Sequence, residues 1–201
     1  MSNTIIVFAK NPEWGKVKTR LAATIGNDKA LEAYKLLVKH TESVIESTNI
    51  PVAVYFTNYI DEQESFGFAN GKKHIQIAGD LGAKMKQAFE EQFNAGHNKV
   101  VIVGTDCYEL RKEHLIQAFE ALDTNNVVIG PANDGGYYLL GMNSYIPALF
   151  DGIHWSTETV LDETIAVIKK LNKQYTLLET LVDVDNEDEL GDLKPLLFNK
   201  I

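Results

Sequence analysis

A single cysteine, Cys107, among 201 residues excludes an internal disulfide and any cysteine-rich zinc cage. Long apolar runs are missing as well. None approaches the roughly 18 to 20 residues that span a bilayer, and the N-terminus has no basic segment followed by an apolar stretch and a cleavage site. A cytoplasmic protein with no membrane partner is expected. Basic residues are in deficit, 19 against 28 acidic for a net charge of −9, so nothing draws the chain toward nucleic acid or an anionic surface. No proline-, glycine- or serine-rich linker, low-complexity tract or internal repeat interrupts it. One domain over residues 1–201 is expected, with 45% hydrophobic residues to fill its core. The histidines, at 40, 74, 97, 114 and 154, lack metal-ligand spacing, and there is no Gly-x-Ser-x-Gly elbow or Gly-x-Gly-x-x-Gly fingerprint. These absences argue against hydrolase and dinucleotide-binding readings.

What is present alternates between short β-branched runs and longer stretches of helical period. Thr4 to Ala9 is nearly all apolar, as suits a strand buried on both faces. From Asp28 to Ser47, apolar residues recur at three- and four-residue spacing and predict a helix. Strands are expected at Val52 to Thr57 and His74 to Ala78, then a helix whose inner stripe is Leu81, Met85, Ala88, Phe89 and Phe93. Lys99 to Gly104 is the strongest strand, and it ends at Thr105 and Asp106. A helix at Lys112 to Leu122, strands at Val127 to Gly130 and Tyr137 to Met142, and a helix at Glu158 to Leu171 follow. Two short β-prone pieces, Tyr175 to Leu178 and Leu181 to Val184, precede a closing helix near Asn186, where Asn186 and Glu189 resemble a capping box. The order implies a doubly wound α/β sheet, with ligands beyond the carboxyl ends of its strands.

Asp106 stands at such an end. A carboxylate there, with Gly104 leaving the backbone open, suits a hard cation such as Mg²⁺, which takes one or two carboxylates plus water and substrate phosphate; a simple turn cap is the competing role. Asp183 and Asp185, at i and i+2, share a face if extended and would complete a three-carboxylate site; Asp185 as a helix cap is the alternative. Lys16, Lys18 and Arg20 concentrate positive charge after the first strand and fit a phosphate clamp or a solvated basic loop. The segment is not a Walker A loop, which would need Gly at Lys10 and Ser or Thr at Val17. Asp134, Gly135 and Gly136 form a loop that either meets a ligand or makes a tight turn. Trp155-Ser156-Thr157 offers ligand contacts or packing.

The segments Phe8 to Leu21, Gly104 to Asp106, Gly130 to Tyr138, Trp155 to Thr157 and Asp183 to Asp185, in that order, closely resemble the DUF2064 family, also called radical-SAM/selenodomain-associated transferase 1. That family is part of the GT-A nucleotide-diphospho-sugar transferase superfamily, distantly similar to molybdenum-cofactor and phospholactate nucleotidyltransferases. The resemblance runs from about residue 4 to 193. It implies a three-layer α/β/α GT-A fold with a mixed, mostly parallel sheet. It also implies nucleotide contacts from Ala9, Lys10, Pro12, Gly15, Thr19, Thr105, Asp134, Gly135, Gly136, Tyr137, Trp155, Ser156 and Thr157. Lys16, Lys18 and Arg20 would meet phosphates, and Mg²⁺ or Mn²⁺ would sit on Asp106, Asp183 and Asp185. Tyr108 and Asn186 depart from the expected Pro and Thr, and neither is a proposed ligand.

The expected reaction is nucleotidyl transfer from a nucleoside triphosphate to a small phosphorylated or hydroxyl acceptor. Glycosyl transfer from a nucleotide-diphospho-sugar, and nucleotide sensing without turnover, are the alternatives. Oligomeric state is left open.

Overall fold

The computed structural model describes residues 2–60, 68 and 71–198. Seven strands make one sheet: β1 (Asn3–Ala9), β2 (Val52–Phe56), β3 (Lys72–Ile75), β4 (Lys99–Val103), β5 (Val127–Pro131), β6 (Tyr137–Met142) and β7 (Tyr175–Leu177). Their order across the sheet is β3-β2-β1-β4-β6-β5-β7. All neighbours run parallel except that β6 is reversed between β4 and β5. The helices are α1 (Thr19–Ile25), α2 (Asn27–Glu46), α3 (Leu81–Asn94), α4 (Lys112–Ala121), α5 (Val160–Lys170) and α6 (Leu193–Phe198). No helix among the described residues is long and apolar enough to cross a membrane.

The central strands are largely apolar because helices cover both sheet faces. Successive side chains then divide between two cores. Ile5, Val7, Val101 and Val103 pack with Tyr34 and Val38 of α2 and Leu115 and Phe119 of α4. Ile6, Val100 and Ile102 pack with Met85 and Phe89 of α3 and Ile168 of α5. This is the strand period of two expressed as a three-layer α/β/α fold.

A third apolar cluster lies outside the sheet. Leu21 of α1 and Leu37 of α2 meet Val184, Leu190, Leu193 and Leu197, which fastens the C-terminal segment against the first two helices.

Three expectations are corrected here. The third strand is Lys72–Ile75 and not His74 to Ala78. Leu181 to Val184 is not a strand; it makes only isolated bridges, Leu181 with Ala132 and Asp183 with Cys107, because its partners lie on separate loops. The closing helix begins as a 3₁₀ turn, Glu187–Leu190, and becomes α-helical only at α6. The capping box does form: the Asn186 side chain accepts from the Asp188 N–H and Glu189 accepts from the Asn186 N–H. Helix α1 was not expected, since its seven residues are too few to carry a periodic signal.

Leu37 is fully buried where α2 meets the C-terminal segment. Leu37→Ala should lower unfolding stability by about 2–5 kcal/mol, the usual cost of emptying such a site, as read from urea denaturation.

Candidate active site

The carboxyl ends of β1, β2, β3 and β4 point to one edge of the sheet, and the reversal of β6 brings its first residue, Tyr137, to the same edge. A cavity of about 650 Å³ opens there. Its floor is the end of β4, Ile102 to Asp106, and Tyr34 of α2 anchors the adjoining strand end. The Tyr34 hydroxyl accepts from the Lys10 N–H at 2.7 Å and lies 2.7 Å from the Lys10 carbonyl. It also faces Thr105, and burial pushes the phenol well above its ordinary range. Asn11, buried, ties the first loop to residues 57–59: its amide donates to the Tyr59 carbonyl and accepts from the Asn58 N–H.

The charged centre lies where three parts of the chain meet. Lys18 takes a left-handed conformation at the N-cap of α1, with φ 48° and ψ 46°, and its side chain is only 4% exposed. Its ammonium is 2.5 Å from Asp106 Oδ1 and 3.5 Å from Asp185 Oδ1. Arg20, on the surface, reaches Asp185 Oδ2 at 3.1 Å. Asp185 is held by its backbone, whose N–H donates to Glu189 at 2.8 Å. Asp183 is bridged to Cys107, and the Val184 N–H donates to the Asp106 carbonyl at 2.9 Å. The Asp183 carboxyl is pushed up to about 7, first by burial and then by Asp106, with Lys18 opposing the shift. Burial, followed by Asp183, pushes the Cys107 thiol up to about 12, so it is no nucleophile at neutral pH.

Lys16, Lys18 and Arg20 all line the cavity but do not share one face. The start of α1 turns Lys18 inward and leaves Lys16 and Arg20 in solvent, with Lys16 ion-paired to Glu13. The three carboxylates likewise do not form a cage: among the described residues no three His, Cys, Asp or Glu side chains converge closely enough to hold a metal. The donor chemistry nevertheless fits a divalent cation. Hard carboxylate oxygens face a spot already populated by a positive charge, the Lys18 ammonium, and Mg²⁺ needs only one or two such ligands when phosphate and water complete its shell.

Of the residues expected to contact nucleotide, Ala9, Lys10, Thr19, Thr105, Tyr137 and Ser156 line the cavity. Pro12 and Gly15 shape the first loop outside it. Asp134, Gly135 and Gly136 are also outside the lining, and their contacts are internal. Asp134 accepts from the Gly136 N–H at 2.9 Å. Gly135, at φ 86°, sits so close to the turn before α5 that a Cβ would lie 2.1 Å from the Glu158 carbonyl oxygen. Trp155 packs its indole over Gly82, where a Cβ would come within 2.1 Å of Nε1. Thr157 caps its own turn through the His154 carbonyl.

The cavity also draws on residues the sequence reading did not select: Thr57, Gln76, Leu81, Lys84 and Met85. The usable signal was Gly79-Asp80-Leu81-Gly82, a glycine-flanked N-cap a few residues beyond the third strand; Asp80 accepts from the Ala83 N–H at 2.8 Å.

Fold and cavity together define a protein of the nucleotide-diphospho-sugar transferase-like class. The chain belongs to the family described as "Uncharacterized protein conserved in bacteria (DUF2064)", which it matches over residues 40–157. The first loop and the Asp183/Asp185 segment lie outside that stretch. A solved structure from Desulfovibrio desulfuricans G20, assigned as a nucleotide-diphospho-sugar transferase, is 31% identical with a TM-score of 0.90, covering 100% of this chain and 90% of the other. Rv0371c from Mycobacterium tuberculosis H37Rv, solved with manganese, is 11% identical at a TM-score of 0.61, with 100% of both chains covered. A CMP:2-keto-3-deoxy-manno-octonic acid synthetase solved with CTP is 8% identical at a TM-score of 0.61, again over 100% of both chains. These two likenesses show the shared fold. No curated protein matches the sequence.

The Asp183 carboxyl carries a prediction about pH. Folded, it keeps its proton to about pH 7; unfolded, it releases it near 3.8. The folded state therefore binds the extra proton between those values, and stability falls as pH rises through the window. In chelator-treated protein, Asp183→Asn should gain stability relative to the parent from about pH 4 to about pH 7. Urea denaturation across that range measures it, and a constant difference would remove the assigned proton.

Proposed function

We propose that this chain is a divalent-cation-dependent transferase acting on a nucleotide, and that it moves a nucleotidyl group from a nucleoside triphosphate to a small phosphorylated or hydroxyl acceptor. The observation that carries the reading is the pairing of Lys18 and Arg20 with Asp106 and Asp185 at the carboxyl edge of the sheet. Cationic side chains for phosphate and carboxylates for a cation occur together there, beside a cavity of about 650 Å³, within the usual range for a small-molecule site.

Asp106, with Asp183 or Asp185, would hold the cation, which neutralises charge on the polyphosphate. The manganese in Rv0371c and the CTP in the synthetase, on the same fold, support the two ligand classes. The acceptor oxygen attacks the α-phosphorus in line, the bond from that phosphorus to the bridging oxygen breaks, and pyrophosphate leaves. Lys18 and Arg20 stabilise the negative charge that accumulates on the departing group, and Tyr34 holds the end of β1 and Thr105 in place beneath it. Positioning and charge stabilisation account for most of the acceleration in reactions of this kind. Lys84 and Gln76, across the cavity, face the nucleoside or the acceptor.

Glycosyl transfer is the second reading, favoured by the assignment of the Desulfovibrio protein. The fate of an α-phosphate radiolabel separates the two: it enters the product in nucleotidyl transfer and remains on the released nucleoside diphosphate in glycosyl transfer. A thermal-shift screen of nucleoside triphosphates and sugar nucleotides with Mg²⁺ comes first. A ligand at about 100 times its Kd adds roughly 2.7 kcal/mol of stability. Asp106→Asn should abolish the Mg²⁺-dependent part of that shift, and a screen in which no nucleotide stabilises the protein would end both readings.

A further inference from the structure

We infer that Lys18 is a resident counter-ion that competes with the divalent cation for Asp106 and Asp185, so that the site takes up a cation–polyphosphate chelate in preference to either component alone. The inference rests on the reading of this cavity as a polyphosphate site, and it adds the form in which the ligand enters.

The Lys18 side chain is 4% exposed. A buried ammonium is stable only when paired, and among the described residues the carboxylates within ion-pair reach are those of Asp106 and Asp185. Asp106 in turn has no other cationic partner among the described residues, whereas Asp185 also has Arg20. The ammonium stands 2.5 Å from Asp106 Oδ1, directly before an oxygen that a hard cation would use. A divalent ion bound there would be adjacent to a positive charge, and the two repel.

Entry of the cation therefore moves the ammonium away. The Lys18 backbone has little room to move, because Leu21, one turn along α1, is fully buried against the C-terminal segment. Its left-handed backbone, fixed as α1's N-cap by the Ala22 N–H bond to the Lys18 carbonyl, also gives it few alternatives. The ammonium leaves its carboxylates readily only when a second anion receives it. A polyphosphate in the cavity, carrying the cation, provides that anion, and the exchange leaves both charges paired. A cation arriving alone strands Lys18, and a polyphosphate arriving alone faces Asp106 and Asp185.

The test uses Mn²⁺ and inorganic pyrophosphate on the full-length protein. Binding of Mn²⁺ alone, followed by electron paramagnetic resonance, should be at least ten-fold tighter in Lys18→Met and Lys18→Gln than in the parent, while the Mn²⁺–pyrophosphate chelate should bind more weakly to both variants. Parent protein that takes up the chelate, alongside variants that bind Mn²⁺ no tighter, overturns the inference and leaves the polyphosphate site standing. Parent protein that binds no chelate overturns both. A measurement on the unaltered chain guards against variants that fold poorly. The Lys18 side-chain nitrogen resonance should shift as Mg²⁺–pyrophosphate saturates the site, and saturation without a shift overturns the exchange.

Discussion

A buried ammonium needs a carboxylate, and in this molecule that need joins the ends of the chain. Lys18 precedes the first helix, Asp106 ends the fourth strand and Asp185 lies near the C-terminus, yet one positive charge reaches both acids. Such pairs contribute little net stability once desolvation is counted, but breaking one leaves an uncompensated charge in the interior. The cluster is thus better understood as fixing where segments go than as holding the fold together. Stability comes from the two sheet cores, and the third cluster around Leu21, Leu37 and Leu193 brings the acidic segment within reach of Lys18.

The reversed strand has a comparable organising effect. Had β6 run parallel to β4, Tyr137 would lie at the opposite edge, away from the cavity. With β6 inverted, Val103 pairs with Leu139, and the entry to β6 stands beside Asp106. The cavity consequently has a wall on each side: the first loop and α1 on one, and β6 with the turn through Ser156 on the other.

Features that depend on local chemistry were legible before the structure. The run Val100 to Val103 announces a strand covered on both faces, and a carboxylate after it marks the productive edge of such a sheet. The capping pair Asn186 and Glu189 was legible because each partner is three residues from the other. Long-range packing was not. The β-branched segment around Val182 has strand propensity, but its neighbours Cys107 and Ala132 belong to different loops and cannot extend a ladder. Helix α1 is too short to display a period, so a helical turn that separates Lys18 from Lys16 and Arg20 stood open beside an extended loop with all three on one side. Lys84 looked like an ordinary outward residue between Leu81 and Met85, and only the placement of α3 turns it toward the cavity. At Gly135, where a glycine suggested access for a ligand, the close approach of the Glu158 carbonyl leaves no room for a Cβ.

The contact between Trp155 and Gly82 joins two elements distant in sequence, the first turn of α3 and the turn that carries Ser156. The indole occupies the volume that a Cβ at position 82 would fill. Residues 82 and 155 therefore share a fixed allotment of space. In chains built on this plan they are expected to vary as a pair, a larger residue at 82 accompanying a smaller one at 155.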